Sequence, residues 1–369
     1  VSISDTRTTN VNAAIVSLSP YQPGKPIDEL ARELGISDII KLASNENPRG
    51  PGDQVRNALR GVFDNLSLYP DGSGYRLKQA LAEHLDVPLA GITLGNGSND
   101  VLELAARVAL EPGAEAIVAE HAFVVYRLAT LAAGAKLVTV PAVRFGTDLD
   151  GFLNSITAAT RMMFIANPNN PTGTWVTQEA LVAFLDAVPA HIWVVLDEAY
   201  QEYVELPGFP DAMTLLSRYP NLIVTRTFSK IHGLASLRVG YAVSSPVFAD
   251  LLNRIRQPFN VNSMALAAAE AALGDQEFVR TSRQLNRDGL QFLTGALTQL
   301  GLACIPSAGN FVTVDVGREA RPVYDAMLRH GVIVRPIAEY GLPRHLRITV
   351  GLPEQNQRCI DSLARVLSQ

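Results

Sequence analysis

From Gly91 to about Val243 the sequence alternates repeatedly between short β-branched or apolar runs and longer amphipathic stretches. A short apolar run of this kind suits a strand buried on both faces. The amphipathic stretch after it suits a helix with one face to cover, so the repeated pair calls for a mainly parallel sheet flanked by helices. The spacing predicts strands over 115–119, 136–140, 161–166, 192–196, 221–226 and 237–243. It predicts helices near 99–110, 122–133, 151–158, 177–187 and 247–257. Such sheets bind ligands beyond the carboxyl ends of their strands, and here the loops at those ends are rich in Gly, Asn, Asp and Ser.

After about Asn262 the pattern changes to two long helical stretches. Short strands then follow over 311–316, 332–335 and 345–350, interleaved with helices 319–330 and 353–368. This reads as a second α/β layer. With 369 residues the chain exceeds what one core usually serves. We therefore expect an arm and part of the small domain over 1–45, a large domain over 46–262, and a small C-terminal domain over 263–369. The arm carries Pro20, Pro23, Gly24 and Pro26 ahead of one short amphipathic helix, 27–34, which is too little to fold alone. It is expected to pack on the small domain or on another subunit.

Composition removes several function classes. Hydrophobic residues make up 47% of the chain and charged ones 18%, so a substantial core can form and disorder is not indicated. The formal net charge is -5 and no basic run follows the pattern of a phosphate-backbone binder, so nucleic acid is not an expected partner. Cys304 and Cys359 lack metal-ligand spacing, and neither a disulfide framework nor a metal site is expected. The polar stretch from Val1 to about Asn12 has no apolar core of a leader, and no apolar run reaches about 18 residues. The expectation is a cytoplasmic protein with no membrane partner.

Four loops carry the chemistry. TFSK at 227–230 follows a strand and precedes Gly233 and Arg238; a lysine there is, taken alone, an ordinary solvated charge. VVLDEAY at 194–200 ends a buried strand on Asp197, with Tyr200 three residues later. A carboxylate in that place is costly unless it meets a cation or accepts N–H groups, and both readings are open. NPNNPTG at 167–173 centres on Asn170 and, by itself, is an ordinary turn. GNGSND at 95–100 joins a strand to a helix starting near Asn99. Its glycines and free helix-start N–H groups favour a phosphate, although it lacks the spacing of a dinucleotide fingerprint.

In order and spacing the four together resemble the fold-type I pyridoxal-phosphate aminotransferases. Over nearly the whole chain the sequence is similar to the histidinol-phosphate aminotransferases, through YQPGKPIDEL at 21–30, KLASNENPRGP at 41–51, LYPDGSGYRLKQAL at 68–81, TFSKIHGLASLRVGYA at 227–242 and LRITVG at 346–351. The resemblance implies an α/β fold with a large, mainly parallel seven-stranded sheet and a smaller α/β domain. It implies that Lys230 carries pyridoxal 5'-phosphate as a Schiff base and acts as base. Asp197 would pair with the pyridine nitrogen, and Asn170 and Tyr200 with the phenolic oxygen. Gly97, Ser98, Asn99, Thr227, Ser229 and Arg238 would hold the phosphate, Arg238 through a bidentate contact that lysine cannot reproduce. Phe123 would cover the ring face, although an aromatic at a helix start is usually core and HAFVVY departs from the family's PTY or PTF wording. Tyr69 would reach the cofactor phosphate of the neighbouring subunit, which makes a homodimer the expected assembly.

For substrates, the resemblance assigns Arg347 to the α-carboxylate of glutamate. Tyr21, Arg335 and Arg347, with Asn45, would take histidinol phosphate. The expected reaction is transfer of an amino group between histidinol phosphate and 2-oxoglutarate, in histidine biosynthesis. Two rivals share the fold: an aromatic amino-acid aminotransferase, since a flat apolar pocket separates imidazole from phenyl by only about 1–3 kcal/mol, and an amino-acid-phosphate decarboxylase. A transcription regulator of this fold would carry a DNA-binding segment ahead of the arm, for which no room is expected. A catalytically dead scaffold is disfavoured because every cofactor position keeps a competent residue type.

Overall fold

A computed structural model of the chain describes residues 13–16, 18, 20 and 24–369. Its strands are β1 (Ile40–Lys41), β2 (Ile92–Gly95), β3 (Glu115–Ala119), β4 (Lys136–Val140), β5 (Thr160–Ala166), β6 (Trp193–Asp197), β7 (Leu222–Thr227), β8 (Gly240–Val243), β9 (Ala303–Ile305), β10 (Phe311–Asp315), β11 (Val332–Ile333), β12 (Arg335–Ile337) and β13 (Leu342–Thr349). Seven form one sheet in the order β2-β8-β7-β6-β5-β3-β4. Five neighbours, β7 to β4 in that order, are parallel, while β8 runs antiparallel to both β7 and β2.

Alternation along the central strands explains the helical cover on both faces. Met162, Phe164 and Val195 point into a cluster with Val101, Leu102 and Tyr126, from helices Ser98–Ala109 and Val124–Ala132. Met163, Ile165, Val194 and Leu196 point the other way, onto Phe152, Leu181 and Phe184. The period of two gives each face its own core. Each fully buried aliphatic or aromatic side chain contributes about 1.5–3 kcal/mol.

The smaller sheet is antiparallel, in the order β12-β13-β10-β9. The N-terminal segment lies beside it in a separate two-stranded sheet. β1 pairs in parallel with β11, Leu42 N donates to Ile333 O at 2.7 Å, and Thr349 N donates to Leu42 O at 2.9 Å. Leu30, on helix Ile27–Leu34, and Leu42 pack with Val312, Leu346 and Ile348. The turn Ala13–Val16 lies against helix Val124–Ala132.

Most predicted elements stand within two residues of their expected ends, and the larger departures have local causes. The strand expected over 237–243 starts at Gly240, because Ala235–Leu237 forms a 3-10 turn and Arg238 takes a left-handed backbone with φ 57°. The run expected over 332–335 divides into β11 and β12, which pair with different partners on either side of Val334. The helix expected over 151–158 is Leu149–Asn154, started early by the Asp148 side chain, which accepts from Gly151 N at 3.0 Å. β9 had no predicted counterpart, being three residues long and only partly buried. Among the described residues no helix is long and apolar enough to cross a membrane.

Candidate active site

Sheet register places the four loops side by side. Ala166 pairs with Asp197, Asp197 with Thr225, Thr227 with Gly240, and Gly240 with Gly95. The ends of β5, β6 and β7 and the turn after β2 therefore open on one cleft. That cleft is closed from the small-sheet side by Ser44, Asn45, Arg335, Tyr340 and Arg347.

At one part of the cleft lies a cradle for an anion. Gly97 turns the chain at φ +81°, and helix Ser98–Ala109 begins immediately after it, so first-turn N–H groups have no partner within the helix. Gly240 lets β8 approach this turn, since a Cβ there would stand 2.4 Å from Ser98 N. The left-handed Arg238 sends its guanidinium back against the turn: Nη1 donates to Ser229 Oγ at 3.2 Å and to Ala235 O at 3.0 Å, and Nη2 would lie 2.3 Å from a Cβ at Gly97. Thr227 Oγ1 donates to Ser229 Oγ at 3.0 Å. Helix-start N–H groups, two hydroxyls and one fixed guanidinium suit a phosphate.

Asp197 ends β6 at 5% exposure. Tyr126 Oη donates to its Oδ2 at 2.8 Å and Thr225 Oγ1 to its Oδ1 at 3.0 Å. Burial pushes this carboxyl above the usual aspartate range, while the hydrogen bonds from Tyr126 and Thr225 and the nearby Lys230 charge pull it down. The next residue, Glu198, is held by Arg226, whose Nε and Nη2 donate to Glu198 Oε2 at 2.9 and 2.8 Å. This buried ion pair keeps the adjoining positive charge occupied and leaves Asp197 the acid that faces the cleft.

Lys230 projects into the same space. Its Nζ donates to Ser44 O at 3.0 Å and lies 5.6 Å from the centroid of the Tyr200 ring. Burial first, then the charges of Arg347 and Arg238, pull the amine down to about 7, against the opposing carboxylates of Glu46 and Asp197. A neutral, nucleophilic amine is thus accessible near neutral pH. Tyr200 Oη accepts from Asn45 Nδ2 at 2.9 Å, and Asn170 Oδ1 accepts from Arg347 Nη1. Phe123 caps helix Val124–Ala132, lines the cleft and meets Tyr126 edge to face at 5.8 Å.

Arg347 is buried, donates through Nη2 to Ala43 O at 2.6 Å and lies 5.5 Å from the Phe311 ring centroid. Arg335, also buried, donates to Glu339 Oε1 at 2.6 Å. Among the described residues, two expected site residues are not in this wall. Gly97 lies behind it, against Arg238. Tyr69 is 82% exposed and stacks on Phe259 at 4.7 Å, away from its own chain's cleft. Tyr21 lies outside the described residues. Sequence reasoning missed Tyr126, Tyr340 and Ser44 as cleft residues. Tyr126 had a signal, since it stands three residues after Phe123 on one helix and so shares its face. Ser44 contributes a backbone carbonyl, for which no residue type is diagnostic.

An amine with an accessible neutral form, a buried carboxylate and an anion cradle in one cleft fit a planar pyridine that carries an aldehyde and a phosphate. Among the described residues no cluster of His, Cys, Asp and Glu could hold a metal ion. The family described as Aminotransferase class I and II matches residues 37–363. Histidinol-phosphate aminotransferase 2 of Pseudomonas fluorescens (strain Pf0-1) is 57% identical over 357 residues, covering 96% of both chains. The protein of the same description from Pseudomonas aeruginosa is 56% identical, again over 96% of both. Among solved structures, the histidinol-phosphate aminotransferase of Sinorhizobium meliloti in complex with pyridoxal-5'-phosphate superposes with a TM-score of 0.90 at 33% identity, covering 98% of each chain. The chain belongs to the class I and II aminotransferases, and within them to the histidinol-phosphate aminotransferases.

Proposed function

We propose that this chain transfers the amino group of histidinol phosphate to 2-oxoglutarate, giving imidazole acetol phosphate and glutamate, as a step of histidine biosynthesis. The observation that carries the reading is Lys230, an amine drawn down to about 7, in one cleft with a buried Asp197 and a phosphate cradle. Pyridoxal phosphate, when bound, supplies an electron sink that makes the hydrogen on the amino-bearing carbon acidic.

The chain's own residues do the rest. Lys230 Nζ would hold the cofactor and would serve as the base that takes the proton from the amino-bearing carbon of the substrate. Asp197 keeps a proton on the pyridine nitrogen. Tyr200 and Asn170 flank the phenolic oxygen, and Phe123 covers a ring face. Gly97, Ser98, Asn99, Thr227, Ser229 and Arg238 hold the phosphate. Arg347 takes the α-carboxylate of glutamate through its planar fork. Arg335, Tyr21 and Asn45, with Arg347, hold the phosphate end of histidinol phosphate. In this reading residues 46–262 form the cofactor-binding domain, 263–369 form the smaller domain, and 1–45 supply an arm and part of that smaller domain. The working unit is a homodimer in the cytoplasm, each Tyr69 completing the partner's site.

The curated relatives favour this substrate over the aromatic amino acids. With 2-oxoglutarate as acceptor, kcat/KM for histidinol phosphate is expected to exceed that for phenylalanine at least tenfold, about 1.4 kcal/mol of discrimination. Preference for phenylalanine would overturn the substrate. Release of carbon dioxide without glutamate would overturn the reaction.

A further inference from the structure

Asp197 is buried, yet the two protein side chains bonded to its carboxylate are neutral donors. One of them, Tyr126, is fully buried, and its ring is fixed on two sides. It stacks on Phe164 at 4.9 Å with planes 9° apart and meets the edge of Phe123 at 5.8 Å. Its position follows from helix Val124–Ala132, which places it one turn beyond Phe123 and over the carboxyl end of β5 and β6. From there the phenol reaches Asp197 Oδ2 at 2.8 Å.

We propose that Tyr126 is a positioning residue for the reaction, its hydroxyl fixing the plane of the Asp197 carboxylate and keeping that carboxylate ionised toward the pyridine nitrogen of the cofactor. The inference rests on the reading that Asp197 is the partner of that nitrogen. Each carboxylate oxygen offers about two acceptor directions. Tyr126 and Thr225 take one on each oxygen and restrict rotation of the group, while leaving acceptor capacity for a third donor. Burial alone favours the protonated acid, and the phenol acts against it. Burial and the Asp197 charge also hold the Tyr126 hydroxyl well above the usual tyrosine range, so it remains a donor at any working pH. Without that donor, Asp197 becomes the stronger base and draws the shared proton away from the ring, which then accepts electrons less well.

The test uses Tyr126→Phe as holoenzyme, with Asp197→Asn beside it. The visible absorbance of the bound cofactor is titrated against pH, and kcat and KM are measured for both substrates. Loss of the phenol is expected to raise the spectral midpoint by about half a pH unit or more. It is expected to lower kcat about tenfold with KM within about twofold, since a hydrogen bond to a charged group acts on the chemical step and not on binding. Asp197→Asn should move the midpoint further in the same direction. An Asp197→Asn midpoint equal to wild type sinks the pyridine-nitrogen reading itself. Movement in Asp197→Asn with none in Tyr126→Phe sinks only the role of Tyr126, as does a Tyr126→Phe protein that loses thermal stability and kcat with an unchanged midpoint. If Tyr126→Phe does not fold, 3-fluorotyrosine at position 126 gives a stronger donor, and its midpoint should fall; a rise or no change overturns the proposal.

Discussion

The amine of Lys230 sits where a proton is expensive to hold, hemmed in by burial and by the charges of Arg347 and Arg238. Two outcomes follow from its value of about 7. The apo chain should capture an aldehyde probe faster as pH rises through about 7 and level off above it, measured by borohydride trapping; Lys230→Ala should trap none at this site and lose at least about a thousandfold in kcat. In the unfolded chain the same amine titrates near roughly 10.4, so between the two values the unfolded state holds the extra proton and folding becomes more favourable as pH rises. Thermal melts of apo wild type against Lys230→Met should show that rise only in the wild type. At this scale Lys230 and Asp197 were legible only in company, since each has an ordinary reading when taken alone and the four loops together carry the signal. Tyr126 reads as one more core aromatic until its hydroxyl is seen on Asp197.

Elements explain why the loops meet. The pairing of Thr227 with Gly240 and of Gly240 with Gly95 brings the turn after β2 beside the Lys230 loop, although well over a hundred residues separate them in sequence. Gly240 is the hinge of that arrangement and has no space for a side chain, since a Cβ there would stand 2.4 Å from Ser98 N and 2.9 Å from Arg226 O. Gly240→Ala is expected to cost about 1–3 kcal/mol of stability through overpacking. It should also weaken pyridoxal phosphate at least tenfold, read by cofactor titration, because the strand must retreat from the cradle. Unchanged affinity would show that the close approach has no part in phosphate binding. The helices and parallel strands could be read from periodicity because both faces of the sheet are buried. The antiparallel sense of β8 and the partner switch between β11 and β12 could not, since a run of apolar residues carries no sign of direction.

On the scale of the whole molecule, the exposed Tyr69, stacked on Phe259, has nothing to do in its own cleft. If it serves the partner's site, two inactive proteins should rescue each other. Tyr69→Ala and Lys230→Ala, unfolded and refolded together in equal amounts, should recover roughly a quarter of wild-type activity, as half the dimers are mixed and each of those holds one intact site. No recovery would place Tyr69 outside catalysis across the interface. The change of pattern near Asn262 falls between the last strand of the seven-stranded sheet and the first of the antiparallel sheet, but the return of the N-terminal segment to the second layer was only half legible, because β1 is two residues long. That return has a bearing on biogenesis. Ala43, Ser44 and Asn45 leave the ribosome well before the residues they are bonded to, Lys230, Asn310, Arg347 and Thr349. For the bonds to Arg347 and Thr349 the two sides are 304 residues apart, roughly 15–60 seconds of translation at about 5–20 residues per second. A nascent chain can lay down the parallel sheet while still tethered, but it cannot finish the catalytic pocket until the strand that carries Arg347 and Thr349 has been made.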